Sequence, residues 1–413
     1  MRKRTWIFYG VILILLVIAS GRARLVSTAI AQSSAPAPEV SLPIFEKDMA
    51  WPKALPNNYY IGQVSGISVD LGNNIWISQR PQGEKNDNPV QDAKRITLYK
   101  DHPGVQAPSV IEFDNDGNYI QGWGGPDWVP QAAKGRKVPD DYRWFNDEHG
   151  ILADQEGHIW VSGHTWAGDV AGPGPDLIDT HLLEFTHDGK FLMMIGHPHS
   201  WGGSNDKMNV GNTTTMALDT KANELYAADG EGNHRVIVFD AKKGTYKRHW
   251  GAYGGVPDDK LAEVAVDANG PASRQFGHRS VHCIVLAKDG LVYVCDRANW
   301  RIQVFHKDGT FVREAFVAKG TPGLGSIWSL VFSPDNKFLY VGDGTNMKIW
   351  FLRSDTLEVV GSYGDKNNPA MVVGAPHSMA VDSKGNIYIG GQNAAVNPAR
   401  YLFKGYGSSA SGR

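Results

Sequence analysis

Cysteine is nearly missing from this chain: two residues, Cys283 and Cys295, stand among 413. Neither lies in a motif that would activate a thiol, so reactive-cysteine chemistry has no foothold. The pair falls on consecutive expected strands, and export would permit a bridge, but spacing alone does not establish the geometry. An excess of one charge is missing as well. Lys+Arg 41 against Asp+Glu 43 leaves a net charge of −2 and a pI near 6.7, which gives no reason to expect nucleic acid or an anionic surface as partner. The body of the chain has no basic run, heptad or low-complexity tract, and neither a nucleophile elbow nor a phosphate-cradling glycine loop. Glycine (47) and tryptophan (13) are abundant, which suits many short strands joined by tight turns.

The one long apolar run is N-terminal. "MRKR" precedes "TWIFYGVILILLVIAS", whose length fits a signal-peptide core and is short for a membrane span. "TAIAQ" then offers a small-x-small site between Ala31 and Gln32. The stretch from core to site, with Arg22 and Arg24, is long, so an uncleaved membrane tether through residues 5–20 is the alternative. "SSAPAPEVSLP" follows as a flexible Pro-rich leader. Export to a periplasmic or extracellular space is the expectation.

Beyond the leader one sentence is written six times: "SGISVDLGNNIWIS", "HGILADQEGHIWVS", "TTMALDTKANELYAA", "HCIVLAKDGLVYVC", "WSLVFSPDNKFLYVG" and "HSMAVDSKGNIYIG". Alternating apolar residues around Asp, Gly and Asn turns mark half-buried strands. A third apolar strand follows each unit ("RVIVFD", "RIQVFH", "KIWFLR" among them), and five units continue to a fourth. Four-stranded units recurring at about 40–50 residues are the signature of a β-propeller. The expected fold is all-β: one six-bladed propeller of four-stranded antiparallel blades, with the first three units lengthened by insertions. The last unit lacks its own fourth strand, which a segment within 39–62 should supply. The expected organisation is a signal peptide over 1–31, a leader and ring-closing segment over 32–55, and the propeller over 56–408.

The units begin at Ser65, His149, Thr214, His282, Trp328 and His377. The first strand of a blade lines the central channel, and alternate blades of six are related by about 120°. His149, His282 and His377 should therefore converge like three spokes. With 14 histidines in the chain, filling three such equivalent positions by accident is remote. Three imidazoles suit zinc, copper, iron or nickel, and three protein ligands with an open position is the pattern of catalytic zinc. A second ring lies at the ends of the second strands: Arg80, His164, Gly230, Arg297, Gly344 and Gln392. Arg80 and Arg297 carry planar forks suited to a carboxylate. His164 can serve as a fourth ligand or a general base, while Asp296 beside Arg297 offers a plain salt bridge as the alternative. The recurrent Trp and Tyr of "IW", "VY" and "IY" read as blade packing, and Arg235 and Arg301 as inter-blade pairing.

The units resemble NHL repeats, for which "GNIYIG" and "RIQVFHKDGTFV" are typical wording. "IGQVSGISVDLGNNIWISQR", "EHGILAD", "SVHCIVL" with "VCDRANWRIQVF", and "APHSMAVDSKGNIYIG" further resemble peptidyl-α-hydroxyglycine α-amidating lyase across all six blades. The resemblance implies a channel zinc on His149, His282 and His377, and a deeper calcium held partly by the carbonyls of Ile67 and Ile151. It also implies cleavage of a C-terminal hydroxyglycine to a peptide amide and glyoxylate, with Arg80 and Arg297 near the substrate. The chain departs from the family at three places. Glu231 in "DGEGNHR" stands where the catalytic tyrosine is, Ala375-Pro376 replaces Met-Pro, and Ser378 replaces a calcium-binding aspartate. The reading is an exported zinc-dependent lyase, or an enzyme with altered substrate or hydrolytic chemistry, acting on a small carboxylate-bearing or peptide substrate, with Glu231 or His164 moving the proton. A non-catalytic NHL-type ligand- or protein-binding propeller and a copper or iron redox propeller are the rivals.

Overall fold

The computed structural model describes residues 40–80, 104–164, 179–262, 267–365, 368, 371, 373–391 and 398–407. The signal or anchor segment, the leader up to residue 39, most of the inserted stretches 81–109 and 165–180, and Gln392 lie outside the described residues.

Six four-stranded sheets are found among the described residues. Blade 1 contains Gln63–Val69, Ile75–Arg80, Val110–Phe113 and Tyr119–Trp123, and blade 2 contains Glu148–Ala153, Ile159–Gly163, His181–Phe185 and Phe191–Gly196. Blade 3 runs through Thr213–Asp219, Glu224–Asp229, Arg235–Asp240 and Tyr246–Trp250, and blade 4 through Val281–Leu286, Val292–Asp296, Arg301–Phe305 and Phe311–Phe316. Blade 5 is Ser329–Phe332, Phe338–Asp343, Lys348–Arg353 and Val359–Tyr363. Blade 6 takes Pro376–Val381, Ile387–Gly391 and Ala399–Gly407 from the C-terminal part and its outer strand, Leu42–Asp48, from the N-terminal part. All pairs within blades are antiparallel, and the innermost strands neighbour one another around the ring.

The repeated sentence explains why each blade forms. Its acidic turn residue caps the hairpin: Asp154 Oδ1 accepts from the N–H groups of Glu156 and His158 at 2.8 Å each, and Asp382 Oδ1 does the same for Lys384 and Asn386 at 2.9 Å. The aromatic on the second strand is buried in every blade, as Trp76, Trp160, Tyr226, Tyr293, Tyr340 and Tyr388. These rings keep their polar tips satisfied locally: Trp76 Nε1 donates to Asp70 at 3.2 Å and Trp160 Nε1 to Asp154 at 3.1 Å. They are packing residues. Arg235 and Arg301 are fully buried and pair with Asp229 at 2.7 Å and Asp296 at 2.6 Å, so the two ions tie loops within and beside their own blades. Cys283 and Cys295 form a disulfide, with Cα atoms 5.0 Å apart, between the first two strands of blade 4.

Closure of the ring combines the ladder between Leu42–Asp48 and Ala399–Gly407 with one buried aromatic. Phe45 of the N-terminal strand is buried among Tyr340 and Tyr363 of blade 5 and Phe403 of blade 6, with ring centroids 5.8, 6.0 and 5.9 Å away. Replacing Phe45 by Ala should lower the unfolding free energy by about 3–5 kcal/mol in chemical denaturation, the range for emptying a buried phenylalanine site. A loss below about 1 kcal/mol would show that the seam is held elsewhere.

Candidate metal centre

His149, His282 and His377 each sit at the start of the innermost strand of an even-numbered blade and are buried. Their ring centroids stand 4.7–5.1 Å apart pairwise: 5.1 Å for His149–His282, 4.7 Å for His149–His377 and 4.8 Å for His282–His377. One nitrogen from each lies within 4.8 Å of the other two. The neighbouring odd-numbered blade sets each orientation. His149 Nδ1 lies 3.0 Å from the Thr214 carbonyl, His282 Nδ1 2.6 Å from that of Trp328, and His377 Nδ1 2.8 Å from that of Ser65. A carbonyl can only accept, so each Nδ1 carries the proton and each Nε2 presents a lone pair. Gly150 makes this approach feasible in blade 2, because any side chain there would run into the Thr214 carbonyl.

Burial pushes all three imidazoles well below the ordinary histidine range, assisted by Arg297 and His377 beside His282, by His282 beside His149 and by His149 beside His377. They are neutral at physiological pH, the form that binds a cation. His149 Nε2 and His282 Nε2 are buried and have no hydrogen-bond partner among the described residues. Orphaned polar atoms of this kind are costly unless something occupies the space between them. The donor set fits zinc.

The rim closes over this triad. Glu231, just beyond the second strand of blade 3, places Oε2 3.7 Å from His149 Nε2 and Oε1 3.7 Å from His282 Nε2. The same carboxylate meets His164 Nε2 at 2.8 Å and Arg297 Nη2 at 2.7 Å. Burial alone would raise its pKa, but His164 and Arg297 overcome that and hold the carboxyl well below its usual range. His164 is itself depressed by burial, against the pull of Glu231. Arg297 packs its guanidinium 5.1 Å from the Trp328 ring centroid and donates Nη2 to the Arg279 carbonyl at 2.8 Å. Its Nε and Nη1 are buried and unpartnered among the described residues. Asp296, the salt-bridge partner that sequence adjacency offered, bonds Arg301 instead, and the ion pair of Arg297 is with Glu231. Arg80 is buried at the rim, donating Nε to the Glu148 carbonyl at 3.0 Å.

The Ile67 and Ile151 carbonyls lie on the innermost strands of blades 1 and 2. Ser378, which stands where the resembling family has an aspartate, uses its hydroxyl to accept the Ile67 N–H at 3.1 Å. A serine contributes no negative charge there, and calcium draws on six to eight oxygens, usually with carboxylates among them. Two features of the centre went unread in the sequence: the carbonyls of Ser65, Thr214 and Trp328, and the indole of Trp328 beneath Arg297. The signal was present, since these three residues begin the odd-numbered repeats.

Comparison with known proteins agrees with the repeat reading. The NHL repeat family is matched over residues 279–305, the first three strands of blade 4. The chain is a six-bladed propeller carrying an NHL repeat. This propeller is 25% identical over 361 residues to peptidyl-glycine alpha-amidating monooxygenase B of Xenopus laevis, covering 84% of the chain and 34% of that protein. It thus spans about a third of the length of that relative. NHL repeat-containing protein 3 of Homo sapiens is 23% identical over 361 residues, 84% of the chain and 81% of that protein. The Caenorhabditis elegans protein named "Probable peptidyl-alpha-hydroxyglycine alpha-amidating lyase" is 25% identical over 267 residues, 63% of the chain and 61% of that protein. The propeller is therefore similar to amidating enzymes and to an NHL-repeat protein at comparable distance.

Two outcomes follow for the triad. Replacing His149, His282 or His377 by Ala should each abolish retention of one metal equivalent after dialysis against a mild chelator, and retention by all three variants would remove the site. An unfolded histidine takes up its proton near 6.5, whereas these rings stay neutral in the native state. Protons therefore favour the unfolded chain as pH falls below about 6.5 and have no such effect above it. The unfolding free energy of metal-free protein should drop between pH 7 and pH 5 in denaturant titrations, and a flat profile would contradict the buried neutral rings.

Proposed function

We propose that the chain is an exported, zinc-dependent lyase acting on a carboxylate-bearing substrate of the hydroxyglycine type. The observation that carries this reading is the convergence of three neutral imidazoles, two with orphaned Nε2 atoms, under a rim of Glu231, His164 and Arg297. Zinc held by His149, His282 and His377 would supply Lewis acidity to a substrate oxygen. The Arg297 guanidinium, which keeps donors unpartnered among the described residues, would receive the substrate carboxylate, with Arg80 as a second buried cation on the rim. Cleavage requires the substrate hydroxyl to lose its proton as the carbon–nitrogen bond breaks, and the departing nitrogen to gain one. Glu231 and His164, 2.8 Å apart, are the pair able to take up and return that proton. The low pKa of Glu231 keeps it ionised over a wide pH range.

Export belongs to the proposal. It is supported by the charged start, apolar core and small-x-small site, and by the disulfide, which persists in oxidising compartments. No helix among the described residues is long and apolar enough to cross a membrane. A calcium ion at Ile67 and Ile151 is not part of the reading, because Ser378 is spent on the Ile67 N–H. A second reading, a ligand-binding propeller without turnover, stays open because the chain is about as similar to NHL repeat-containing protein 3, whose name states no activity, as to the amidating enzymes. Metal analysis separates zinc from copper or iron, and incubation of the zinc-loaded protein with hydroxyglycine-ended peptides separates enzyme from binder.

Glu231→Gln should lower kcat by about 10²-fold or more with metal content intact, as expected on removing a positioned general base. Should that variant turn over normally, the base is His164, and His164→Ala should carry the loss instead. Normal turnover in both variants would defeat the proton-transfer assignment.

A further inference from the structure

The rim of the channel is uneven. At the ends of the second strands stand Arg80, His164, Gly230, Arg297 and Gly344 among the described residues, so blades 3 and 5 offer no side chain at that position, and blade 3 reaches the rim one residue later through Glu231. Gly230 is backed by Val281, into which any Cβ would drive. Gly344 instead lies against the indole of Trp328, the ring that also carries the Arg297 guanidinium. Past Gly344 a cavity of about 860 Å³ opens on the same face, bounded by the loop leading from blade 4 to blade 5 and by the end of blade 5. Lys319, Thr345, Asn346, Lys348, Trp350 and Asp365 are among the residues that line it.

Gly325 joins this groove to the metal centre. Its carbonyl accepts from Thr345 Oγ1 at 2.6 Å on the groove side and from Trp328 Nε1 at 3.0 Å on the channel side. Its backbone presses so closely on the Arg297 carbonyl that no side chain would fit there. The groove also carries charge. The Lys348 ammonium lies 5.3 Å from the Trp350 centroid and the Lys319 ammonium 5.0 Å from that of Phe316, against the single carboxylate of Asp365. Two cations and an aromatic wall, open to water, suit an extended chain with an acidic side chain better than a buried apolar ligand.

We propose that this groove holds the residues of a peptide substrate that precede its reacting C-terminal unit, with preference for acidic residues. The proposal rests on the lyase reading in taking the reacting carboxylate to sit at Arg297. Each extended residue advances the chain by about 3.3–3.6 Å, so the residues immediately upstream would leave the mouth beside Gly344, on the blade 5 side, and enter the groove. Partly exposed ion pairs are individually weak, so two lysines together should give a preference of about tenfold rather than a large one.

The test uses zinc-loaded full-length protein and two fluorescently labelled tetrapeptides ending in glycine, one with two glutamates ahead of the glycine and one with two glutamines. Anisotropy titrations should show the glutamate peptide binding about tenfold tighter, and Lys319→Glu/Lys348→Glu should abolish or invert that preference. Equal binding of both peptides to the parent protein, or a preference that survives in the variant, would overturn the groove. Turnover of a one-residue N-acyl hydroxyglycine by the parent protein reads the lyase chemistry separately. A glutamate preference that the variant loses, without any turnover, sustains the groove and removes the lyase. Turnover without discrimination between the peptides does the reverse.

Discussion

Three hydrogen bonds between blades determine the chemistry of the centre. The N–H groups of His149, His282 and His377 are each fixed by a backbone carbonyl at the start of the next blade. Because the acceptors are backbone atoms, their positions are set by the strand ladders rather than by a mobile side chain. Tautomer, ring orientation and the inward direction of each Nε2 all follow from that contact. The six-fold repeat thus divides its labour: even blades supply imidazoles, and odd blades supply the carbonyls that aim them.

Above the triad the charges are arranged to cancel. Arg297 and Glu231 form a buried pair, His164 leans on the same carboxylate, and the three ring nitrogens are neutral. Removing either member of such a pair leaves an uncompensated ion in a dry site, which is far more costly than exchanging both. Glu231 and Arg297 are therefore coupled. The Glu231 carboxylate depends on Arg297 and His164 for its ionisation, and Arg297 depends on Glu231 for burial of its charge. A tyrosine at the same place would leave that arginine with a different balance, so the substitution relative to the amidating-lyase pattern alters the electrostatics of the whole rim.

Most of the fold could be read from the chain because it is local and repeated. The alternation in "HGILADQEGHIWVS" gives two strands, the Asp gives the turn, and six copies give the ring. The triad was legible for the same reason, since equal template positions must lie at equal depth. The limits are equally physical. Sequence adjacency offered Asp296 to Arg297, whereas the side chain reaches across to blade 3 and takes Glu231. Long side chains at strand ends choose partners by rotamer and by neighbouring loops, which no local pattern encodes. Ser378 likewise gives no hint in the sequence that its hydroxyl will cap the Ile67 N–H of a strand 311 positions away.

The closing strand has a temporal consequence. Asp48 pairs with Arg400, Nε to Oδ2 at 2.9 Å, across 352 positions of chain. Bringing such distant segments together costs loop-closure entropy of about 5 kcal/mol, although the logarithmic dependence makes further insertions cheap. Blade 6 therefore cannot be completed during synthesis until Ala399–Gly407 has emerged. Five blades can condense earlier, each from contiguous sequence, and the ring then locks in one late step. The long insertions in blades 1 to 3 are tolerated by the same logarithm, so loop sequence can diversify around a fixed channel with little effect on assembly.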